Sequence, residues 1–210
     1  MCSSAETSFV SRAGVKLQFG LDAFELDVTG LLCADLGCNV GGFTDCLLQR
    51  GAARVYAVDT GYGVLHYRLR CDPRVVVMER SNVLHCPVPA PCDLVAVDLG
   101  WTRQRHAIPA ALRWLAPHPD GRIVSLIKPH YELDEPDKGT RLVRGVLSAA
   151  DAEEVLQQVV EGFPSVGAEV LAIARSPIGG AKSAKRSRGE GNREYLALVR
   201  RYSPSSKLDD

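Results

Sequence analysis

Ten consecutive residues, Asp35-Leu36-Gly37-Cys38-Asn39-Val40-Gly41-Gly42-Phe43-Thr44, place a carboxylate and three glycines between an apolar run and the start of a helical pattern. Glycine lets backbone N–H groups come close to a ligand, and a helix N-terminus favours an electron-rich group. A dinucleotide cradle of the form G-x-G-x-x-G would need glycine at position 39, where this chain has Asn39. Asp35 is an anion, unfavourable beside a pyrophosphate and favourable beside a cofactor that carries an ammonium and a sulfonium. Asp59 ends the next apolar run, where a carboxylate can accept hydrogen bonds from both hydroxyls of a ribose. Glu79-Arg80-Ser81-Asn82 follows the third, where an adenine edge would lie. Taken in this order, at successive strand ends, these features favour S-adenosylmethionine over NAD. The candidate cofactor-binding residues are Asp35, Gly37, Cys38, Gly41, Gly42, Phe43, Asp59 and Asn82.

The elements that must position them follow from hydrophobic pattern. LLCADLG (31–37), RVYAVD (54–59), RVVVMER (74–80), DLVAVDL (93–99) and RIVSLIK (122–128) read as buried strands, and GGFTDCLLQRG (41–51) as a helix with its glycine stop. Helical stretches are predicted around 104–116 and over 151–162, the latter opened by Ser148 or Asp151. A strand near 168–175 and EYLALVRR (194–201) follow. Strands alternating with helices predict an α/β doubly wound fold, mostly parallel, whose final strand runs antiparallel. SRAGVKLQFGLDAF (11–24) has helical spacing and precedes the first strand. Residues 1–30 are therefore expected as a helical extension packed on a domain spanning 31–202, with 203–210 as a frayed tail.

Composition agrees with one sizeable core. The 210 residues are 46% hydrophobic but only 6% aromatic, so Val, Leu, Ala and Ile must fill the interior. No apolar stretch approaches the roughly twenty residues of a membrane span, and MCSSAETSF lacks the basic start and apolar core of a secretory signal. A cytoplasmic protein without membrane partners is expected. Cys2, Cys33, Cys38, Cys46, Cys71, Cys86 and Cys92 form no CxxC pair, and His85-Cys86 with Cys92 fits no common zinc spacing. Neither a disulfide framework nor a metal site is expected. Formal net charge is zero, yet Lys182, Lys185, Arg186 and Arg188 fall within seven residues flanked by glycines, a candidate phosphate-contacting loop.

With these features in place, the chain resembles the FtsJ-like RNA ribose 2′-O-methyltransferases, and most closely their TlyA (hemolysin A-like) branch. The matching stretches are SRAGVKL, DLGCNVGGFTDCLLQRGAARVYAVDTGYG, RVVVMERSNV, DLVAVDL, LIKPHYE and GNREYLALV, which together cover most of residues 11–200. The resemblance implies a Rossmann-like S-adenosylmethionine-dependent methyltransferase fold with a seven-stranded sheet, and a Lys-Asp-Lys-Glu catalytic tetrad. Carried onto this sequence, the tetrad is Lys16, Asp98, Lys128 and Glu194, with Asp98 also beside the cofactor. It further implies RNA as substrate, ribosomal RNA or a ribosomal particle above all; Arg12 and the 182–188 cations are the candidate RNA-binding residues. Members of the branch normally carry an N-terminal S4-like domain; about ten residues precede SRAGVKL here, so that domain is expected to be missing. Leu99-Gly100-Trp101 stands where the branch has a DLSF-type continuation, and the basic loop is longer than in the branch.

Methyl transfer to a ribose hydroxyl is an in-line displacement, so oxygen, carbon and sulfur must be aligned and the hydroxyl proton removed. Lys128 is the candidate for that proton step. It would need a neighbour such as Lys16 to lower its pKa, whereas Asp98 and Glu194 act in the opposite sense. If the carboxylates prevail, Lys128 stays cationic and stabilises developing alkoxide charge. Two other readings compete: methylation of a base nitrogen, whose usual Asn/Asp-Pro-Pro-aromatic strand end is replaced here by Asp98-Leu99-Gly100-Trp101, and a non-catalytic cofactor- or RNA-binding module.

Overall fold

The computed structural model describes residues 8–180 and 191–202; the cations of the 182–188 segment and the tail 203–210 lie outside the described residues. The chain begins with α1 (Ala13–Ala23), β1 (Leu32–Leu36), α2 (Gly42–Gln49), β2 (Arg54–Val58), α3 (Tyr67–Arg70), β3 (Val75–Met78) and β4 (Leu94–Val97). It continues with α4 (Gln104–Trp114), β5 (Arg122–Ile127), α5 (Pro129–Glu132) and α6 (Glu135–Arg141). A two-strand hairpin of β6 (Leu142–Val143) and β7 (Val146–Leu147) leads to α7 (Ala149–Gly162), β8 (Ala168–Arg175) and β9 (Tyr195–Arg201).

Seven strands form one sheet in the order β3-β2-β1-β4-β5-β9-β8. The β1–β2, β2–β3, β1–β4 and β4–β5 pairs are parallel, while β9 runs antiparallel to both neighbours. This is the doubly wound, mostly parallel sheet that the alternation predicted. Strand order reverses between β1 and β4, the place where an open α/β sheet leaves a crevice for a ligand.

Alternate residues of each strand feed two apolar layers. Ala34 and Leu36 pack with Trp114, Ile108 and Phe163 on one face, whereas Cys33 packs with Leu17, Leu21, Phe43 and Leu47 on the other. Asp35 belongs to the strand between these positions and is wholly buried.

Two local devices seat α1. A Cβ on Gly42 would stand 2.2 Å from Ser11 Oγ and 2.8 Å from both the Ala13 Cβ and the Gly14 nitrogen, so the start of α1 seats against α2 because Gly42 carries no side chain at the contact. Asp45 accepts hydrogen bonds from the Val10 N–H and the Arg68 guanidinium, both at 2.8 Å, which ties the N-terminal arm to α2 and α3. Beyond β5 the sequence pattern foresaw nothing until α7, yet α5, α6 and the hairpin occupy that stretch. Its turn, Arg144-Gly145, has φ of 54° and 81°, the sign a two-residue hairpin turn requires. Ser148 caps α7, accepting from the Asp151 N–H.

Candidate active site

Sheet register decides which polar residues meet. Ile127 pairs with Tyr195 and Val97 with Ser125, so the residues one step beyond, Lys128, Glu194 and Asp98, emerge at one edge of the sheet. Lys128 and Asp98 follow the C-terminal ends of parallel strands; Glu194 precedes the strand that runs the other way. Lys16 arrives from α1. The Lys128 ammonium donates to Asp98 Oδ1, and Lys16 Nζ donates to Glu194 Oε2 at 2.5 Å. These charges are largely shielded, Lys16 and Glu194 to 10% and 3% side-chain exposure. Residues up to 178 positions apart thus form two adjacent ion pairs.

Burial is the largest single influence on Lys128 and acts to lower its pKa, but the charge and hydrogen bond of Asp98, followed by Glu194, outweigh it. The ammonium is held above its ordinary value and keeps its proton at neutral pH. Lys16 does not serve as the depressing neighbour the proton step required, because it is paired with Glu194. Beside them His130 is pushed down to about 4, by burial first and then by the cations Lys128 and Lys16, so its imidazole is neutral. Its Nδ1 is buried with no hydrogen-bond partner among the described residues.

Two cavities meet at these pairs. The larger, about 730 Å³, is lined by Lys16, Lys128 and Glu194, by the aromatic rings of Trp101 and Tyr131, and by the cations Arg12, Lys138 and Arg144. The smaller, about 100 Å³, is lined by Asp35, Gly37, Cys38, Phe43 and Asp98. Ser11, Ala13 and Asn39 line both. Lys128 therefore faces one cavity and its partner Asp98 the other.

In the smaller recess Asp35 Oδ2 accepts from the Thr44 N–H at 2.8 Å and the Thr44 hydroxyl at 2.6 Å, while Oδ1 has no partner among the described residues. Burial pushes the Asp35 carboxyl up to about 7 against those two hydrogen bonds, with the charges of Asp98 and Asp59 adding to the rise. A cationic group seated against Oδ1 would satisfy the atom and favour the ionised form. The residues present fit a ligand with a positively charged end. Burial likewise raises the Cys38 thiol, so it is un-ionised. Each oxygen of Asp59 accepts one backbone N–H, from Asn39 at 2.9 Å and Gly61 at 2.7 Å, which leaves a second lone pair on each.

Four of the expected cofactor residues, Gly41, Gly42, Asp59 and Asn82, line neither cavity. Gly41, at φ 102°, has no room for a Cβ because Leu69 Cδ1 would lie 2.3 Å away, and Gly42 is filled by the α1 start; neither lines the recess. Their bareness serves chain packing, and of the three glycines only Gly37 faces the cavity. Asn82 lines neither cavity, since its side-chain oxygen accepts the Leu84 N–H at 3.0 Å in the turn after β3. Glu79 is likewise engaged locally: it pairs with Arg70 and accepts from the Gly63 and Leu65 N–H groups, and these contacts, Arg70 first, hold it at about 2.

Residues that pattern reading did not single out include Asn39, His130, Lys138, Arg144 and Asn192. Asn192 Oδ1 accepts the Leu147 N–H and its Nδ2 donates to Gly145 O, both at 2.8 Å, which clamps the hairpin beside the cavity. The signal was the asparagine of GNREY, two residues from Glu194; its use as a clamp depends on a hairpin with no sequence signature.

A family model described as FtsJ-like methyltransferase matches residues 9–201. The chain belongs to the FtsJ-like methyltransferase family. Among curated FtsJ-like relatives, the 16S/23S rRNA (cytidine-2′-O)-methyltransferase TlyA of Mycobacterium tuberculosis is 36% identical over 209 residues, an alignment covering 94% of this chain and 70% of the relative. A Streptococcus thermophilus structure described as a candidate hemolysin superposes with TM-score 0.82 at 31% identity, over 96% of this chain and 70% of that one. The fold is shared more widely with methyltransferases: a Burkholderia thailandensis 1,6-didemethyltoxoflavin-N1-methyltransferase bound to S-adenosylhomocysteine matches with TM-score 0.59 at 16% identity, over 92% and 79% of the two chains. Among the described residues no helix is long and apolar enough to cross a membrane, and no group of three or more His, Cys, Asp or Glu side chains could hold a metal ion. The four positions that the family resemblance marks as a tetrad are those joined here by the two ion pairs.

Proposed function

We propose that this FtsJ-like protein transfers a methyl group from S-adenosylmethionine to a ribose 2′-hydroxyl of RNA, with ribosomal RNA as the substrate class. The observation that carries this reading is the Lys128–Asp98 pair at the boundary of two cavities, one bearing an unmatched carboxylate oxygen and the other lined with cations and aromatics. The relative's name, an rRNA 2′-O-methyltransferase, gives the substrate class.

Asp35 would hold the positively charged end of the cofactor, with Gly37, Cys38, Asn39 and Phe43 as walls and the remaining lone pairs of Asp59 for ribose hydroxyls. S-adenosylmethionine supplies an electrophilic methyl carbon on a sulfonium. Lys128 donates one N–H to Asp98 and has two more to offer; directed at the 2′-oxygen, they fix its orientation and stabilise negative charge that develops there. A cation can fill this place because a hydroxyl becomes strongly acidic as its oxygen gains a carbon. Asp98 Oδ2 takes the proton late and passes it to solvent. Lys16 and Glu194 keep the Lys128 side of the site anchored and shielded. Arg12, Lys138 and Arg144, together with Lys182, Lys185, Arg186 and Arg188 from the segment outside the described residues, contact phosphates.

The test is transfer of labelled methyl from S-adenosylmethionine into purified ribosomal RNA and into intact subunits, followed by digestion to nucleosides. Label on 2′-O-methylated nucleosides is expected. Label on bases, or none in either substrate, would overturn the reading.

A further inference from the structure

Two segments leave the neighbouring strands β4 and β5 at the catalytic edge, one running from Asp98 to the start of α4 and the other from Lys128 into α5, and they are tied together at both ends. At the near end is the Lys128–Asp98 pair. At the far end the two oxygens of Glu132 share the backbone N–H of Gln104, the first residue of α4, at 3.0 and 3.3 Å. Arg103 adds two bonds across the same gap, to Asp134 Oδ1 at 2.5 Å and to the Leu133 carbonyl at 2.8 Å.

A helix start leaves backbone N–H groups without intrahelical partners, and Ser, Thr, Asp or Asn at the preceding position normally serves them. Here the preceding residue is Arg103, which gives no side-chain cap, and the hydroxyl of Thr102 turns back to the Gly100 carbonyl at 3.4 Å. The cap comes instead from α5, 28 positions away. The buried Gln104 side chain is fixed as well: it donates to the Leu126 carbonyl at 3.3 Å and accepts from the Ser125 hydroxyl at 2.7 Å, both on β5, the strand that leads into Lys128. The start of α4 is thus held against the strand before Lys128 and against the short helix after it.

Glu132 is partly buried, and burial raises its carboxyl to about 7 against the Gln104 hydrogen bond and the charges of Arg103 and Arg105. Both arginines are directed elsewhere, Arg103 to Asp134 and Arg105 to His106 Nε2 at 3.2 Å. On the other side of α5, α7 packs Ala152 and Val155 against Leu133 and against Leu147 of β7, while its acids Asp151 and Glu154 bind Arg141 and Glu153 binds Arg193. Along its own segment the neighbours are the neutral His130, Tyr131, and Lys128 paired with Asp98.

We propose that Glu132 is a positioning residue for methyl transfer: as a carboxylate it caps α4 from α5, locks the two segments together and so holds Asp98 and Lys128 in the geometry the reaction needs. Protonated, Glu132 gives Gln104 a weaker bond, the helix start loosens and the pair loses its aim. The consequence for rate rests on the ribose-methylation reading, whereas the cap can be followed without turnover.

Kinetics at saturating S-adenosylmethionine and ribosomal RNA test the role. The parent's kcat should rise about threefold to tenfold between about pH 6 and 8, with its midpoint near 7, as a neutral hydrogen bond gives way to a charged one. Glu132→Gln keeps the shape and one acceptor oxygen but cannot ionise, so its kcat should be flat over that range at the parent's low-pH level. Glu132→Ala should lose about tenfold to a hundredfold in kcat at pH 8, the cost of a displaced reacting geometry, and the KM for S-adenosylmethionine should be unchanged in both variants. With Lys128→Ala already in place, neither substitution should lower kcat further, because the group they aim is gone; a cap that serves folding alone would multiply the losses. Without RNA, the Gln104 amide proton followed by NMR should titrate with the same midpoint in the parent and stay still in Glu132→Gln. A pH step retained by Glu132→Gln, or losses that multiply with Lys128→Ala, would overturn the proposal. A titrating Gln104 amide without label in RNA would sink the methylation reading and leave the cap standing; label in RNA with an indifferent Glu132→Ala would do the reverse.

Discussion

The two sides of the site handle charge in opposite ways. At the β4–β5–β9 edge two ammonium groups and two carboxylates neutralise one another, and each has a partner before any ligand arrives. At the end of β1 Asp35 is buried with one oxygen unmatched among the described residues. The first region is built already, so its residues have fixed protonation and direction. The second is incomplete on its own, and a cationic ligand completes it. Damage to the first should therefore appear in folding and in the chemical step, and damage to the second in cofactor affinity.

The largest effect is expected from Lys16→Met. Removing one member of a buried pair leaves Glu194 an isolated carboxylate in the interior, a loss of about 3–5 kcal/mol. The double variant Lys16→Met/Glu194→Gln should recover most of that loss in denaturant unfolding. A single variant as stable as the parent would mean that the pair is not what it is taken for. Next comes Lys128→Ala, for which kcat for methyl transfer should fall by about 10²–10³, the cost of one donor at developing charge, while the Kd for S-adenosylmethionine stays within about threefold. A kcat near that of the parent would remove Lys128 from the chemistry.

Asp35→Asn should show the contrasting signature: S-adenosylmethionine binding weakened about tenfold at pH 8, with kcat at saturation little changed. The parent should bind more tightly as pH rises towards about 7, close to tenfold per unit below that value, because a carboxyl raised to about 7 must lose its proton to attract the cation. In the free protein the sign runs the other way. The folded carboxyl, above its ordinary 3.8, holds a proton that the unfolded chain has released, so stability is greatest below about 4 and declines as pH rises to about 7, by ~4 kcal/mol. Asn should abolish both slopes in calorimetric titrations and pH-dependent melting. A pH-independent Kd in the parent would dismiss Asp35 as the cation's partner.

Sequence pattern revealed these two regions unequally. The strands and the Asp35 position were legible because apolar runs such as LVAV and VVVM have few alternatives once helices alternate with them. Lys128, Asp98 and Glu194 at one edge followed from strand direction. The seat of Lys16 did not, because it depends on the bare contact of Gly42 with Ser11 and Gly14 and on the Asp45 tie to Val10, both long-range. The same contacts explain why Gly41 and Gly42 read as ligand-facing when they are packing residues: a glycine-rich turn looks alike whether a ligand or a neighbouring helix fills the space. The hairpin between α6 and α7 was invisible because strands of two residues have no periodicity to read.

That hairpin also gives the smallest effect and the cleanest separation of charge from fold. Arg144 occupies a left-handed turn position that glycine adopts without strain, so Arg144→Gly removes a cation from the cavity wall while suiting the backbone. Its melting temperature should equal or exceed the parent's. RNA affinity should drop a few-fold at low salt, and the slope of log K against log salt should shrink by about one, the amount expected for one phosphate contact. Asn192→Ala loosens the hairpin without touching the charge, so it should lower affinity while leaving that slope nearly intact. If Arg144→Gly leaves the slope unchanged, the hairpin shapes the cavity but does not touch the backbone of the nucleic acid, and the phosphate contacts fall to Arg12, Lys138 and the 182–188 cations alone.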